Sequence, residues 1–264
     1  MKYKACRLEN NQGKMWHIGI DEKDVAKHVI LPADPERCKL ISEHFDNPEL
    51  KAVSRGNPIY TGKYKDIDVS VMSTGMGGTA VSICVEELKQ LGVKTLIRMG
   101  TSGGLQKSIP EGSFVICTGA VRGDGTTAEY IDCEYPAIAD VDVVVALREA
   151  CLEYGIKPYI GIVRSHDAFY LESPGAHKGW KQRIKKWTDA GCLAVENETS
   201  SLLVVSSLLG KIRAGSILLT GKNLYEGYGN MSTANTKDYE KNIVLLTKIT
   251  LRAIERINKL DDLE

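Results

Sequence analysis

Short apolar runs rich in β-branched residues alternate with longer helix-patterned runs along most of the chain. This alternation is typical of βαβ units, in which parallel strands lie between layers of helices. Not every strand-like run is cleanly separated from the next by a helix, so we expect a mixed sheet. The strand-like runs are residues 28–33, 68–75, 95–100, 113–121, 159–167, 192–197 and 214–221, and the helical runs are 35–45, 79–92, 142–155, 199–210 and 236–260.

No linker, repeat or low-complexity tract interrupts this pattern, and residues 168–190 receive no assignment. We therefore predict an α/β fold with one domain over residues 1–264, of which 1–15 form an N-terminal extension. Its centre is a mostly parallel, mixed β-sheet flanked by helices. Ligands of such sheets bind at the carboxyl ends of the strands, so we expect the functional residues among the polar residues that follow each strand.

Charge and cysteine usage narrow the class of protein. Lys plus Arg and Asp plus Glu both total 34, so the net charge of zero favours neither a nucleic-acid nor a membrane-surface partner. The seven cysteines contain no CxxC pair, which indicates free thiols rather than disulfides or a zinc site. No apolar run approaches the roughly 20 residues of a membrane span, and the N-terminus lacks a secretory apolar core. We expect a cytoplasmic protein.

The stretch "LPADPERC" places a helix start directly after a strand. Asp34 suits the N-cap and Pro35 suits the first turn, so Arg37 lies beside free backbone N–H groups. A helix N-terminus with an adjacent guanidinium favours a phosphate-like anion. The alternative is a plain capped helix with a surface arginine.

A second arginine lies inside an apolar strand, in "IRMGTSGG". A buried Arg98 needs a partner, and the following turn offers backbone N–H groups with the hydroxyls of Thr101 and Ser102. The alternative is an internal ion pair. The glycine-rich "STGMGG" at 73–78 is another strand exit, or merely a tight turn. Together these exits indicate a small oxyanion held by two arginines.

Two acids follow a short strand in "AVENETSSLL". On a strand, Glu196 and Glu198 share one face while Asn197 points away. The acids either favour the positive end of the next helix, or one of them accepts hydrogen bonds from two vicinal hydroxyls. An oxyanion beside a diol indicates ribose and phosphate.

These stretches, with "HIGI", "LIRMGTSGGLQ", "EYPAIADVD" and "SHDAFY", resemble the nucleoside phosphorylase-I family, most closely its uridine phosphorylase branch. The resemblance covers nearly the whole chain from Trp16 to the final helix. It implies reversible phosphorolysis of a nucleoside to free base and ribose 1-phosphate. It implies phosphate as co-substrate, with no cofactor and no metal.

The resemblance also implies roles for individual residues. Glu198, Arg98 and Thr101 are the expected catalytic residues. The expected phosphate contacts are Ala33, Arg37, Arg55, Arg98 and Thr101; the expected ribose contacts are His17, Glu196, Asn197 and Glu198; and Phe169 is expected at the base. Because Arg55 and His17 match residues that cross to a neighbouring subunit, we expect a homo-oligomer, at least a dimer; hexamers of three dimers are common in this branch.

Three positions depart from the family pattern. Ala33 replaces the usual glycine of the phosphate loop, and Asn197 replaces the methionine beneath the ribose. Gly56 replaces a glutamate that binds a monovalent cation in some members, so that ion site is not carried over.

Base recognition departs most. The loop after "DAFY" is shorter than usual and lacks the Gln-x-Arg motif that pairs with uracil, while the late strand lacks the Asp that protonates a purine. Lys222 and Asn223 stand at the latter place and are the expected base contacts. A basic helix start offers other candidates, His177, Lys178, Lys181 and Gln182. Uridine is favoured; a purine or other nucleoside, a nucleosidase, and a non-catalytic nucleoside-binding member remain alternatives.

Overall fold

The computed structural model describes residues 6–172, 175–224 and 236–261. Within them the chain forms ten strands, seven α-helices and one 3₁₀ turn. The strands are β1 His28–Leu31, β2 Asp46–Ser54, β3 Asn57–Tyr64, β4 Ile67–Met72, β5 Thr95–Gly104, β6 Phe114–Gly123, β7 Ala137–Ile138, β8 Tyr159–His166, β9 Ala194–Glu196 and β10 Arg213–Asn223. The helices are α1 Pro35–Ser42, α2 Gly78–Gln90, α3 Gly125–Tyr130, α4 Val141–Glu153, α5 Trp180–Asp189, α6 Thr199–Leu209 and α7 Thr236–Asp261, and the 3₁₀ turn η1 is Phe169–Glu172.

All strands belong to one mixed sheet, which confirms the predicted α/β fold class. The order is β10-β6-β8-β9-β5-β1-β4-β3-β2, with β7 beside β6. Strand β1 pairs in parallel with β4 and β5, and β5 pairs in parallel with β10. Strand β8 pairs in parallel with β6 and β9, while β10 and β6 are antiparallel. Because β5 also pairs with β9 and β10, five strands form a closed circuit from which β1 to β4 extend as an open sheet.

Helices cover both faces of the sheet and bury it. One core cluster joins sheet residues to α1, α4 and α7, and another joins the opposite side to α2 and α6. All seven cysteines are free, and five of them are buried. No helix in the described part of the chain is both long enough and apolar enough to span a membrane.

The sequence pattern missed six elements, namely β2, β3, β7, α3, α5 and η1. The hairpin of β2 and β3 has mostly exposed or half-buried side chains, so no apolar run marks it. Its two-residue turn has positive φ at Arg55 (52°) and Gly56 (83°), which is the geometry that joins twisted antiparallel strands. The short α3 was also missed, and α5 lies in the unassigned segment. Of the predicted N-terminal extension, residues 1–5 lie outside the described residues.

Candidate active site

The polar segments that follow the predicted strands converge on one cleft of about 780 Å³ at the carboxyl ends of the parallel strands. Every residue predicted for the site lines it except His17, Arg55 and Asn223, and the further candidates His177, Lys178, Lys181 and Gln182 do not line it either. The lining residues are Ala33, Asp34, Pro35, Arg37, Gly75, Met76, Arg98, Thr101, Ser102, Gly103, His166, Phe169, Glu172, Val195, Glu196, Asn197, Glu198, Gly221, Lys222 and Leu224.

Arg98 is the buried centre of one end of the cleft, with 3% of its surface exposed. Its Nε donates to Glu196 Oε2 at 3.0 Å, and its Nη2 donates to Glu198 Oε2 at 2.5 Å. Burial alone lowers the pKa of this guanidinium, but the two carboxylates outweigh burial, so the pKa lies above its ordinary value. The internal ion pair considered for Arg98 therefore exists.

That ion pair does not use all of the arginine's donors. Arg98 Nη1 is buried and has no hydrogen-bond partner among the described residues. Gly100 makes room for the guanidinium, because a Cβ at that position would lie 2.8 Å from Arg98 Nη2. Since Arg98 lines the cleft, its remaining donor suits an anion bound there.

Glu196 is the support of this end rather than a free ligand group. Besides Arg98, its carboxylate accepts from the backbone N–H groups of Glu198 (3.0 Å) and Thr199 (2.9 Å) and from Ser165 Oγ. Glu196 thus satisfies donors at the start of α6, as the helix-dipole interpretation proposed. Its contacts fix both Arg98 and the neighbouring Glu198.

Glu198 occupies the N-cap position of α6 but does not cap that helix with its side chain. Its Oε1 accepts from the backbone N–H of Gly77 at 2.7 Å, while Oε2 accepts from Arg98. Gly77 has φ +89°, a conformation that favours glycine, so the "STGMGG" turn serves to present this N–H group. An ionised carboxylate has about four acceptor positions, which leaves capacity for two hydroxyl donors from the cleft.

A second guanidinium faces the same end of the cleft. Asp34 caps α1 by accepting from Glu36 N at 3.0 Å, and Pro35 occupies the first turn, as predicted. Arg37 Nε lies 3.5 Å from Asp34 Oδ2, yet it is buried and makes no hydrogen bond within the described residues. Arg37 is therefore not a plain surface arginine. Ala33 and Thr101 are half-buried beside it and complete the lining here.

The other end of the cleft contains Phe169 and Asn197, together with two residues that had no predicted role, His166 and Glu172. Phe169 lines it with 57% of its surface exposed. The amide nitrogen of Asn197 donates to the backbone carbonyl of His166, whose side chain is 5% exposed. Burial lowers the pKa of the His166 imidazole, which keeps that ring neutral near pH 7. Glu172 is 4% exposed and also lines this end.

Lys222 and Asn223, both predicted to contact the base, lie in different places. Lys222 lines the cleft, and its Nζ lies 3.6 Å from Glu111 Oε2. Asn223 does not line it, because its Nδ2 donates to the carbonyl oxygens of Gln106 and Ile109, both at 2.8 Å. The base contact expected of Asn223 therefore finds no support in this geometry.

His17 and Arg55 lie together, but neither lines this chain's own cleft. His17 Nδ1 is 2.6 Å from Glu87 Oε1, and Ser54 Oγ donates to the His17 carbonyl at 2.5 Å. Arg55 follows Ser54 at the exposed hairpin turn. Both residues are thus presented at the surface in one neighbourhood.

Sequence reasoning missed His166 and Glu172. Both belong to "SHDAFYLE", the stretch from the end of β8 to η1. The only signal was an acid three residues after Phe169, and without a predicted turn nothing placed the two side chains on one side. Within the described residues, no cluster of three or more His, Cys, Asp or Glu side chains could hold a metal ion.

The fold and the cleft define an α/β protein whose cleft brings two arginines, Arg37 and Arg98, together with the carboxylate of Glu198. Residues 27–255 match the family model described as the phosphorylase superfamily, and the chain belongs to that family, as the resemblance predicted. The uridine phosphorylase of Treponema pallidum is 41% identical over 208 residues, which are 77% of this chain and 80% of that protein.

Two further relatives cover almost the full length. The guanosine phosphorylase of Halorubrum lacusprofundi is 34% identical over 91% of this chain and 98% of its own. A crystal structure of uridine phosphorylase from Vibrio fischeri superposes with a TM-score of 0.81 at 32% identity, covering 95% of this chain and 100% of that one.

Proposed function

We propose that this chain is a nucleoside phosphorylase, which cleaves a ribonucleoside reversibly with phosphate to free base and ribose 1-phosphate. Uridine is the favoured substrate, by similarity to the uridine phosphorylases. One observation carries the proposal: Arg98 and Arg37 line the cleft beside the carboxylate of Glu198. Each arginine has a buried donor, Arg98 Nη1 and Arg37 Nε, that makes no hydrogen bond within the described residues. An anion and a diol are the two groups that such a set of residues would bind together.

The arrangement supports the chemistry by charge placement. Cleavage of the glycosidic bond leaves positive charge on the ribose ring, while the bonding electrons go to the base. A phosphate oxygen then forms the new bond to the anomeric carbon. Arg98, Arg37 and Thr101 would hold phosphate as co-substrate in position for this attack, and Glu198 would fix the ribose through its hydroxyls.

The proposed active unit is a homo-oligomer, at least a dimer. His17 and Arg55 are neighbours at the surface and do not reach this chain's cleft, which fits a role in a partner's site. Mixing an Arg55→Ala chain with a Glu198→Gln chain tests this proposal. Activity should recover in the mixture, because half of the sites in a mixed dimer then carry both native residues; no recovery after subunit exchange would contradict shared sites.

The guanosine phosphorylase relative favours guanosine as a second candidate substrate, because it covers 91% of this chain. Release of free base from uridine, thymidine, cytidine, inosine, guanosine and adenosine, measured with and without phosphate, distinguishes the candidates. Phosphate-dependent cleavage of uridine supports the main proposal, and cleavage of guanosine alone supports the second. Cleavage without phosphate would indicate a nucleosidase, and no cleavage with retained binding would indicate a non-catalytic protein.

A further inference from the structure

Glu172 is a buried carboxylate that lines the cleft, and neither the proposed phosphate contacts nor the proposed ribose contacts include it. It lies at the same end as Phe169, and both residues line the cleft. The two belong to η1, in which side chains three residues apart are eclipsed. Glu172 is therefore on the same side of the turn as the aromatic ring expected to pack on the base.

Two arginines hold this carboxylate from outside the cleft lining. Arg164 Nη1 donates to Glu172 Oε2, and the Arg164 guanidinium stacks 4.4 Å from the centroid of the Trp187 ring. Arg183 Nε lies 3.4 Å from Oε1, without the geometry of a hydrogen bond. An ionised carboxylate can only accept hydrogen bonds, so this side chain, ion-paired with two arginines, offers acceptors and no donor.

The acceptor capacity of this carboxylate is incomplete. Glu172 Oε1 is buried and has no hydrogen-bond partner among the described residues. A buried acceptor without a donor is costly, so native structures normally satisfy it with a protein group, water or ligand. Because Glu172 lines the cleft, a ligand bound there can supply the donor.

We propose that Glu172 determines base specificity by accepting a hydrogen bond from a ring N–H group of the base. This inference rests on the proposed phosphorylase function. Bases with a cyclic amide edge, namely uracil, thymine, hypoxanthine and guanine, have that N–H. Cytosine and adenine present a bare ring nitrogen at the same place, whose lone pair would oppose the carboxylate. One residue thereby explains how a uracil and a guanine base could both suit this cleft.

Substrate analogues test the proposal on the wild-type protein. The rates of phosphate-dependent cleavage are compared for uridine, 3-methyluridine and 5-methyluridine, which carry the same added methyl group on and away from the ring N–H. We expect 3-methyluridine to lose roughly a hundredfold or more in kcat/KM, and 5-methyluridine to stay within about tenfold of uridine. Equal cleavage of the two methyl isomers would overturn the role of Glu172. If only purine nucleosides react, inosine and 1-methylinosine serve as the pair.

The variant Glu172→Gln tests the residue itself, because its amide can donate to a bare ring nitrogen. The ratio of kcat/KM for uridine over cytidine should fall by roughly ten- to hundredfold. Asp189→Asn is the matched control: it also exchanges an acid for its amide, on the exposed end of α5, and should leave the ratio unchanged.

The outcomes separate the two proposals. An unchanged ratio in a folded Glu172→Gln protein would refute the role of Glu172 while the phosphorylase function stands. If that variant does not fold, the methyl-isomer comparison decides. Failure of the wild type to cleave any nucleoside in phosphate would overturn the phosphorylase function, and the role of Glu172 with it.

Discussion

The two ends of the cleft carry opposite arrangements of buried charge. At one end a single guanidinium, Arg98, lies between the carboxylates of Glu196 and Glu198. At the other end a single carboxylate, Glu172, lies between Arg164 and Arg183. Each centre pairs with its neighbours and still keeps one buried atom without a hydrogen bond in the described structure.

The difference between these unused atoms indicates what each end binds. The arginine centre keeps a donor, Nη1, and so suits an anion. The glutamate centre keeps an acceptor, Oε1, and so suits an N–H group. The flanking charges immobilise each centre, so that the cleft recognises its ligands with few preformed groups. Charge is most deeply buried at the arginine centre, so replacements there should have the largest effects.

Replacement of Arg98 by Met should have the largest effect. It leaves Glu196 and Glu198 buried without their common partner, which should lower the free energy of unfolding by about 3–5 kcal/mol. It should also reduce phosphate-dependent turnover roughly a thousandfold, more than it weakens nucleoside binding. Urea denaturation and phosphate titrations of the initial rate measure the two effects.

Arg98→Lys is the control for that replacement. It keeps the positive charge but lacks the forked donors that contact two acids and an anion at once. We expect it to recover much of the stability and little of the phosphate response. An unchanged dependence on phosphate concentration in Arg98→Met would contradict the assignment of this residue to phosphate.

Glu198→Gln should have the second largest effect. The amide keeps the size of the side chain but removes the charge that accepts from Arg98 and from Gly77 N, and that would accept from the ribose hydroxyls in the proposed complex. Each hydrogen bond to a charged group contributes about 1.5–3 kcal/mol, so the loss of kcat/KM should be roughly hundredfold or more. Steady-state kinetics with ribo- and 2′-deoxyribonucleosides measure it. Activity within tenfold of wild type would contradict the role in diol binding.

The arginine centre could be predicted from the sequence because its parts follow recognisable strands. Arg98 and Glu196 are polar residues in short apolar runs, and Asp34 with Pro35 marks a helix start. The fold class was predictable for the same reason, since buried strands and helices leave apolar periodicities. The pairing of Arg98 with both acids was not predictable, because it depends on how β5, β9 and α6 meet.

The glutamate centre could not be predicted, because its residues meet only in three dimensions. Arg164 comes from β8, Glu172 from η1 and Arg183 from α5, and the last two elements lie in residues 168–190, for which no element was predicted. The polar hairpin of β2 and β3 escaped prediction similarly, since its strands are not marked by apolar residues. Asn223 was assigned by alignment position alone, which does not show that its amide contacts Gln106 and Ile109.

Phe169→Ala tests the base end without disturbing its charges. The ring is more than half exposed, so its removal should change the free energy of unfolding by less than about 1 kcal/mol. Loss of the proposed contact with the base should raise the KM for the nucleoside roughly tenfold and leave the KM for phosphate unchanged. Kinetics with each substrate varied in turn provide the measurement. An equal rise in both KM values would mean that the two ends of the cleft are not independent.

The smallest predicted effect concerns His166, whose Nε2 lies 3.8 Å from Glu172 Oε2. Burial lowers the pKa of this imidazole below its unfolded value of about 6.5, although Glu172 opposes the shift. Below about pH 6.5 the unfolded chain therefore binds a proton that the folded chain does not. As the pH is lowered from there, the free energy of unfolding decreases until the pKa of the folded state is reached. His166→Gln removes this contribution, so the stability of wild type relative to the variant should decrease between pH 7 and 5, by at most about 1.4 kcal/mol per pH unit. The pKa values of His28 and His44 are also lowered, but both residues are present in both proteins and cancel in the difference. Urea denaturation at several pH values measures that difference; a value independent of pH would mean that His166 is not held neutral by its burial.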